Sequence, residues 1–278
     1  MVMRVWDMLT TAGGTGANED RVGACGTLAW VLDGATDLYG NAALPAESDV
    51  QWLVDTVVRY LCEAGSASYR GSAADLLMEV AAAVAGEQAR QGFPADRVPP
   101  ACSVALCVDQ GSRYDVARIG DTTIAITGRV AATLATDYFD RREAAAVGSG
   151  DEDRQRVEAA MHRRRLHTMT SDDAESVFSG HPDRRLSPHS TAGAWSSVED
   201  ILLCTDGFAR LITDYGRYET WPEVINDAHE HGLAYLEKLI RDAEALPEPA
   251  GGRFKRSDDI AVILLSPEQA DPSKDRLS

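Results

Sequence analysis

Four apolar segments of strand length follow one another between residues 101 and 136, and this run restricts the fold more than any other feature of the chain. The segments are 101–110, 112–121, 122–127 and 129–136. Two of the junctions, Gln110-Gly111 and Thr127-Gly128, carry the glycine that is typical of β-hairpins. Gaps this short join antiparallel neighbours, so the run predicts an antiparallel meander.

The segments on either side of this run alternate between strand and helix patterns. Residues 2–10 and 21–33 carry β-type apolar runs, while 46–65 and 72–92 show the spacing of amphipathic helices. Ser72 is a typical N-cap for the second helix. Toward the C-terminus the pattern predicts strand 200–205, helix 207–213, helices 219–230 and 232–245, and strand 259–265. This order predicts an α+β fold with largely antiparallel sheets that are covered by helices.

The chain has 278 residues, no internal repeat and no evident linker. We therefore predict a single domain over 1–266, followed by a polar tail at 267–278. Residues 138–195 are predicted to form a flap-like insertion, because a charged helical segment is followed by many turn formers with weak periodicity. The basic run at 163–165 is interpreted as a solvated helix face.

The charge balance excludes several classes of partner. The formal net charge is −17, from 44 Asp and Glu against 27 Lys and Arg, so we predict no nucleic acid and no membrane as partners. The longest apolar runs fall short of the roughly 18 residues of a membrane span, and the first residues lack the pattern of a secretory leader. Five cysteines without a spacing pattern argue against a disulfide framework or a zinc site. We predict a cytoplasmic location and leave the oligomeric state open.

Three apolar strand segments end or begin at an aspartate. Asp33 ends one run, Asp206 follows another, and Asp258 precedes the last strand. If these strand ends converge, three carboxylates at one place are costly without a cation. Oxygen ligands without clustered His or Cys suit Mg²⁺ or Mn²⁺, and Gly34 and Gly207 allow a tight turn and close approach. Asp-Gly is also an ordinary turn dipeptide, which explains any one of these sites, but three together predict a metal centre.

Four blocks of the sequence resemble, in order, the type 2C metal-dependent serine/threonine phosphatase family. They are NEDRVGACGTLAWVLDGATD (18–37), VARIGDTTIAI (116–126), LLCTDGFARLITD (202–214) and SDDIAVILL (257–265). The resemblance implies a four-layer α-β-β-α sandwich of two antiparallel sheets flanked by paired helices. It also implies two Mg²⁺ or Mn²⁺ ions and a phosphoserine/phosphothreonine protein phosphatase that uses a water activated by the two metals.

The resemblance also assigns site residues by motif. Asp33 would bridge both metals, the Gly34 carbonyl would bind one of them, and Asp206 and Asp258 would hold the other. These three aspartates are therefore the expected catalytic residues. Four further acids would contact the metals through water or support the ligands: Glu19, Asp20, Asp121 and Asp259. Asp259 stands where the family usually has Asn, so the neighbouring Asp258 is preferred as the ligand.

The chain departs from the family pattern at two positions. Thr15 stands where the family commonly has an Arg that grips the substrate phosphate. Arg210 stands where bacterial members often have an Asp that serves a third metal, although Asp121 keeps the other third-metal position. The candidates for binding the substrate phosphate are Arg210 first, then Thr15 and Arg184, the last of which lies in the predicted flap.

Two other functions remain open. Without the phosphate-gripping Arg, the substrate could be a small phosphorylated metabolite rather than a phosphorylated protein. A non-catalytic regulatory binding module is disfavoured by the intact Asp33, Asp206 and Asp258. Haloacid dehalogenase-type phosphatases need a second acid in their nucleophile motif, and kinases and serine hydrolases need loops that this sequence lacks.

Overall fold

The computed structural model describes residues 3–14, 16–139, 154–172, 175–246 and 257–268. Two antiparallel sheets pack face to face within these residues, and helices cover the outer side of each sheet. The predicted α+β class and the four-layer α-β-β-α sandwich are confirmed.

In chain order the described strands are β1 (Met3–Thr11), β2 (Arg21–Cys25), β3 (Leu28–Gly34), β4 (Ala101–Asp109), β5 (Arg113–Ile119), β6 (Thr123–Gly128), β7 (Ala132–Leu134), β8 (Phe178–Ser179), β9 (His189–Ala194), β10 (Val198–Cys204) and β11 (Ile260–Pro267). The described helices are α1 (Asp49–Ser66), α2 (Ala73–Arg90), α3 (Arg154–Thr170), α4 (Asp206–Thr213), α5 (Trp221–His231) and α6 (Leu233–Glu244). A single 3₁₀ turn, Trp195–Ser197, leads into β10.

The first sheet has the order β1-β11-β10-β6-β7, and the second has the order β2-β3-β4-β5-β9 with β8 paired to β4. Every strand pair is antiparallel. Helices α1 and α2 cover the second sheet, and α4, α5 and α6 cover the first.

Alternation along the central strands builds the three apolar layers. In β3, Leu28, Trp30 and Leu32 face α1 and α2, whereas Ala29 and Val31 face the other sheet. Strands β10 and β11 alternate in the same way between the inter-sheet core and the helices α4 to α6. This period of two, with apolar side chains on both faces, is what a strand buried between a sheet and a helix layer requires.

The helix predictions are confirmed with small shifts at their ends. Ser72 caps α2 as predicted, since its Oγ accepts a hydrogen bond from the Asp75 amide at 3.3 Å. Helix α1 begins at Asp49 rather than at residue 46, because the Oγ of Ser48 accepts from the Gln51 amide at 3.1 Å and so forms the N-cap.

The predicted meander over 101–136 is wrong at one junction. The hairpins β4–β5 and β6–β7 form as predicted, but β5 belongs to the second sheet and β6 to the first. The chain changes sheets at Gly120, which has a φ of +85° and lies so close to Ser103 that a Cβ would sit 2.0 Å from its Oγ. Sequence spacing does not distinguish a turn within one sheet from a short crossing to the facing sheet.

The predicted flap-like insertion contains two strands that its sequence pattern did not reveal. Strand β8 pairs with the start of β4, and β9 pairs with β5 along the edge of the second sheet. The β9 sequence, HSTAGA, has no large apolar residue, so it lacks the usual strand signal. Residues 140–153, 173–174 and 269–278, which belong to the predicted flap and tail, lie outside the described residues, and the domain limits stay a prediction.

None of the described helices is long and apolar enough to span a membrane.

Two helix glycines provide a test of how closely α1 packs on the second sheet. A Cβ at Gly65 would lie 2.1 Å from the Cys25 carbonyl oxygen, whereas a Cβ at Gly86 in α2 would meet only Arg90 Nη1 at 3.5 Å. We expect Gly65→Ala to lower the free energy of unfolding by about 1–3 kcal/mol through overpacking. The matched variant Gly86→Ala should raise it by roughly 0.5–1 kcal/mol. Equal effects of the two variants in urea unfolding would contradict this packing.

Candidate metal centre

Three of the predicted site residues lie at strand ends that the topology brings to one end of the sandwich. Asp33 is the penultimate residue of β3, Asp206 opens α4 two residues after β10, and Asp258 lies two residues before β11. Strands β10 and β11 are antiparallel neighbours, with Cys204 opposite Val262, so the end of one lies beside the start of the other. The facing second sheet brings Asp33 to the same place.

The mutual influence of their charges shows which carboxylates meet. Burial, followed by the charges of Asp20, Asp206 and Asp121, raises the pKa of Asp33 well above its ordinary value. The pKa of Asp206 rises to about 7, again because of burial and the charges of Asp121 and Asp258. A hydrogen bond with the Asp33 side chain acts in the opposite direction and lowers the pKa of Asp206. Asp20, Asp33, Asp121, Asp206 and Asp258 form one cluster, called the aspartate cluster below.

Asp20 supplies the observation that favours a cation. Its residue is only 3% exposed, and its Oδ2 atom is buried without a hydrogen-bond partner among the described residues. Burial and the charges of Asp206 and Asp259 raise its pKa well above the ordinary value. A buried carboxylate oxygen without a donor is costly, and a donor set made only of oxygens fits Mg²⁺ or Mn²⁺.

Gly34 and Gly207 serve close approach and not a turn. Gly34 ends β3 and Gly207 lies within α4, and neither has a positive φ. A Cβ on Gly34 would sit 2.6 Å from the Glu19 carbonyl oxygen, and a Cβ on Gly207 would sit 2.1 Å from that of Asp259. Both glycines therefore let backbone segments that carry the acids pack against each other.

The neighbours Asp258 and Asp259 have different partners. Both carboxylate oxygens of Asp259 accept backbone hydrogen bonds, Oδ1 from Gly13 and Oδ2 from Glu19, each at 2.8 Å. Asp258 belongs to the aspartate cluster and accepts from Arg210. Asp259 thus ties down the loop between β1 and β2, and Asp258 is the member of the pair whose charge acts on both Asp33 and Asp206.

The side chain of Glu19 points to the start of α1. Its Oε1 accepts a hydrogen bond from Ser48 Oγ at 2.8 Å, and that hydroxyl is also the N-cap of the helix. The predicted water-mediated contact of Glu19 with a metal stays a prediction.

Arg210, the first candidate for the substrate phosphate, is engaged by carboxylates. Its Nη2 donates to Asp258 Oδ2 at 2.6 Å, and Asp214 and Glu244 lie 3.8 and 3.9 Å from other nitrogens of the same guanidinium. Burial lowers the pKa of Arg210, but the charges of Asp206 and Asp258 outweigh that effect and raise it. The guanidinium compensates part of the charge of the aspartate cluster.

The described contacts do not link the other two phosphate candidates to the cluster. Thr15 lies outside the described residues. Arg184 donates to the carbonyl of His181 at 3.2 Å, in the turn after β8, and no described contact joins it to an aspartate of the cluster.

Arg165 is a residue that the sequence interpretation missed. The prediction of a solvated run at 163–165 is confirmed for Arg163 and Arg164, which are exposed. It is wrong for Arg165, whose Nη2 donates to the Thr36 carbonyl at 3.0 Å, three residues beyond Asp33. Burial lowers the pKa of Arg165 to about 10, while the charges of Asp37 and Glu19 act in the opposite direction. Its position four residues before the buried Met169 is the helical signal that could have indicated this inward face.

Comparison with known families identifies the family to which this chain belongs. Residues 17–241 match the model of the family described as Protein phosphatase 2C. The chain belongs to the protein phosphatase 2C family. The resemblance seen in the sequence is confirmed, and so is the class of enzyme, a metal-dependent phosphatase that hydrolyses phosphoric monoesters.

Solved structures show the same fold across the whole phosphatase. The serine/threonine phosphatase Stp1 from Staphylococcus aureus is 15% identical with a TM-score of 0.58, and 97% of each chain is covered. The Mycobacterium tuberculosis serine/threonine phosphatase PstP/Ppp is 17% identical with a TM-score of 0.57, covering 97% of this chain and 100% of that one. The catalytic domain of PstP in complex with two manganese ions is 18% identical with a TM-score of 0.58, covering 95% and 98%. The comparison with curated proteins finds no match.

The raised pKa values predict how the metal-free phosphatase responds to pH. The folded pKa of Asp206 is about 7 against an ordinary 3.8, so the folded state binds more protons between these values and stability falls as pH rises through them. Urea unfolding in chelator should therefore show a lower free energy of unfolding at pH 8 than at pH 5.

Asp206→Asn should flatten this dependence and raise the free energy of unfolding at pH 8 by more than about 1 kcal/mol, the value of one pKa unit. Asp242→Asn, on the exposed surface of α6, is the control and should leave the slope unchanged. Parallel curves for wild type and Asp206→Asn would contradict the electrostatic description of the cluster.

Proposed function

We propose that this phosphatase removes phosphate from phosphoserine and phosphothreonine in proteins, with two Mg²⁺ or Mn²⁺ ions held at the aspartate cluster. The observation that carries the proposal is the aspartate cluster, in which the carboxylates raise one another's pKa and the buried Oδ2 of Asp20 has no hydrogen-bond partner among the described residues. The bound manganese pair of the PstP catalytic domain supports the same assignment.

The proposed ligands follow from where each carboxylate lies. Asp33 ends β3 of the second sheet and Asp206 opens α4 beside the first, and the charge of Asp206 raises the pKa of Asp33; this supports Asp33 as the ligand that would bridge two ions. The Gly34 carbonyl would bind one ion, and Asp206 and Asp258 would bind the other. When bound, the two ions supply a nucleophilic hydroxide at neutral pH and offset the charge of the phosphoryl oxygens.

Other residues of the chain keep these ligands in place. Asp259 fixes the loop that carries Glu19 and Asp20, through its bonds to the amides of Gly13 and Glu19. Asp20 and Asp121 complete the negative field of the cluster and are proposed to act on the ions through water. Ligands on strand ends that are buried in three apolar layers are held more rigidly than ligands on loops.

Arg165 is proposed as the cation that meets the substrate phosphate. A phosphate dianion gains both charge and orientation from a guanidinium. Arg210 is engaged by Asp258, whereas Arg165 lies over the segment that follows Asp33 and bonds a neutral carbonyl there. Thr15 and Arg184 remain candidates with less support from the described contacts.

A cytoplasmic location is proposed from the cysteines. All five are free, and three of them are buried. Disulfides form and persist in oxidising compartments, so a chain with free cysteines only is typical of a reducing one.

The function is tested by a phosphatase assay with Mn²⁺ that compares phosphoserine and phosphothreonine peptides with a panel of phosphorylated metabolites. We expect the peptides to have the higher kcat/KM and the activity to disappear on exhaustive chelation. A preference for one metabolite would favour the second candidate, a small-molecule phosphatase, which Thr15 in place of the usual Arg makes possible. Full activity after chelation would contradict the use of two metals.

Asp33→Asn, Asp206→Asn and Asp258→Asn should each lower kcat/KM at least about 100-fold, because each removes an anionic ligand on which charge stabilisation depends. Circular dichroism should show an unchanged fold. Asp242→Asn on the exposed face of α6 keeps the same chemical change away from the site and should have wild-type kinetics. A variant of the cluster with full activity would remove that residue from the ligand set.

Arg165→Ala should raise KM for phosphopeptides about 10-fold or more with a smaller effect on kcat, since the lost interaction holds the substrate before the chemical step. Arg164→Ala, the exposed neighbour on α3, is the matched control. Equal KM values for the two variants would show that Arg165 does not bind the substrate phosphate and only supports the segment at Thr36.

A further inference from the structure

Arg210 and Asp206 come from the same short helix, four residues apart, and both meet Asp258. Asp206 opens α4 and Arg210 lies one turn later, so both project to the same end of the sandwich. The Arg210 side chain is 11% exposed and its Nη2 lies 2.6 Å from Asp258 Oδ2. A short, largely buried contact between full charges is a strong one.

A divalent ion bound to Asp258 would lie beside this guanidinium. Two cations a few ångströms apart in a partly buried site repel each other strongly. The guanidinium and a metal ion at Asp258 therefore compete for the charge of the same carboxylate. Without a metal, the same guanidinium neutralises Asp258, and removing it would leave the carboxylates of the cluster with less compensation.

Two further acids lie close enough to pair with the guanidinium if it moves away from Asp258. Asp214 Oδ2 lies 3.8 Å from Arg210 Nε, and Glu244 Oε1 lies 3.9 Å from Arg210 Nη1. Glu244 also accepts bonds from Arg241 and Ser257, at 2.9 and 2.7 Å, so its carboxylate is held in place. A small movement would thus exchange Asp258 for partners of the same charge, and the buried guanidinium would stay paired.

We infer that Arg210 is a built-in competitor of the metal ion at Asp258, so that the phosphatase binds one metal tightly at Asp33 and the Gly34 carbonyl and a second one more weakly at Asp206 and Asp258. The inference rests on the proposed function, in which Asp258 is a metal ligand. It predicts that activation follows the filling of the weaker site. It also gives a physical role to Arg210. This arginine occupies the position at which bacterial members of the family often have an Asp that serves a third metal.

The test is calorimetric titration of the metal-stripped full chain with Mn²⁺, which needs no substrate. Wild type should bind with two affinities, and Arg210→Gln should tighten the weaker one at least about tenfold, the worth of one hydrogen bond between charged groups. Arg210→Lys keeps the charge, and its weaker Mn²⁺ affinity should lie between those of wild type and Arg210→Gln. Arg59→Gln on α1 removes a guanidinium that is paired with Glu63 of the same helix and Glu87 of α2, and it should leave both affinities unchanged.

Thermal unfolding supplies an independent readout. In chelator, Arg210→Gln should have a lower Tm than wild type, because the cluster has lost its compensating charge, and its Tm should rise more on addition of Mn²⁺. In the Asp258→Asn background, Arg210→Gln should no longer tighten Mn²⁺ binding, since the contested ligand is gone. If Arg210→Gln does not fold without metal, Arg210→Lys and the Asp258→Asn background decide the question.

Two results would overturn the inference while leaving the proposed function intact. Unchanged Mn²⁺ affinity in Arg210→Gln would show that the guanidinium does not compete. Weaker affinity would show that Arg210 instead positions Asp258 for the metal. A wild-type chain that binds no Mn²⁺ would overturn both the inference and the proposed function.

Discussion

The contact between the inner faces of the two sheets is the interaction on which the metal centre depends. Ala29 and Val31 of β3 belong to the same buried cluster as Leu203 of β10 and Ile263 of β11. Because close-packed side chains interdigitate, the sheets cannot slide past each other without opening voids. This packing holds the end of β3, with Asp33, against the ends of β10 and β11. The proposed ligands are therefore held rigidly by a core that lies away from them.

The cluster that this packing creates is unfavourable by itself. Burial and mutual repulsion raise the pKa values of Asp20, Asp33 and Asp206 together, which means that their ionised forms are destabilised in the folded, metal-free chain. Backbone amides and one guanidinium offset part of this negative charge. Asp259 accepts two backbone amides, and Arg210 brings a positive charge into the cluster. A site that is strained in this way gains from any cation it binds.

Much of the fold could be predicted from local pattern. The amphipathic period indicated α1 and α2 to within three residues, and apolar runs indicated β10 and β11, because both signals arise from the burial of a face that the sequence displays directly. The passage of the chain between sheets at Gly120 could not be predicted. A hairpin turn within one sheet and a short connection to the facing sheet have the same length and the same types of residue. Strand β9 is held by backbone pairing with β5, and its small side chains carry no strand signal.

The sequence by itself determined which groups are available: carboxylates at three strand ends, glycines beside two of them, and no clustered His or Cys that would favour zinc. These are properties of residue type and order, and they suffice for the chemistry of the centre. Only the tertiary structure decided how those groups are used. Asp258 meets Arg210 while Asp259 binds amides, and Arg165 turns inward to Thr36. Neighbouring residues of the same type therefore have different partners. Their side-chain directions and charge pairs depend on elements that are distant in sequence and meet only when the layers pack.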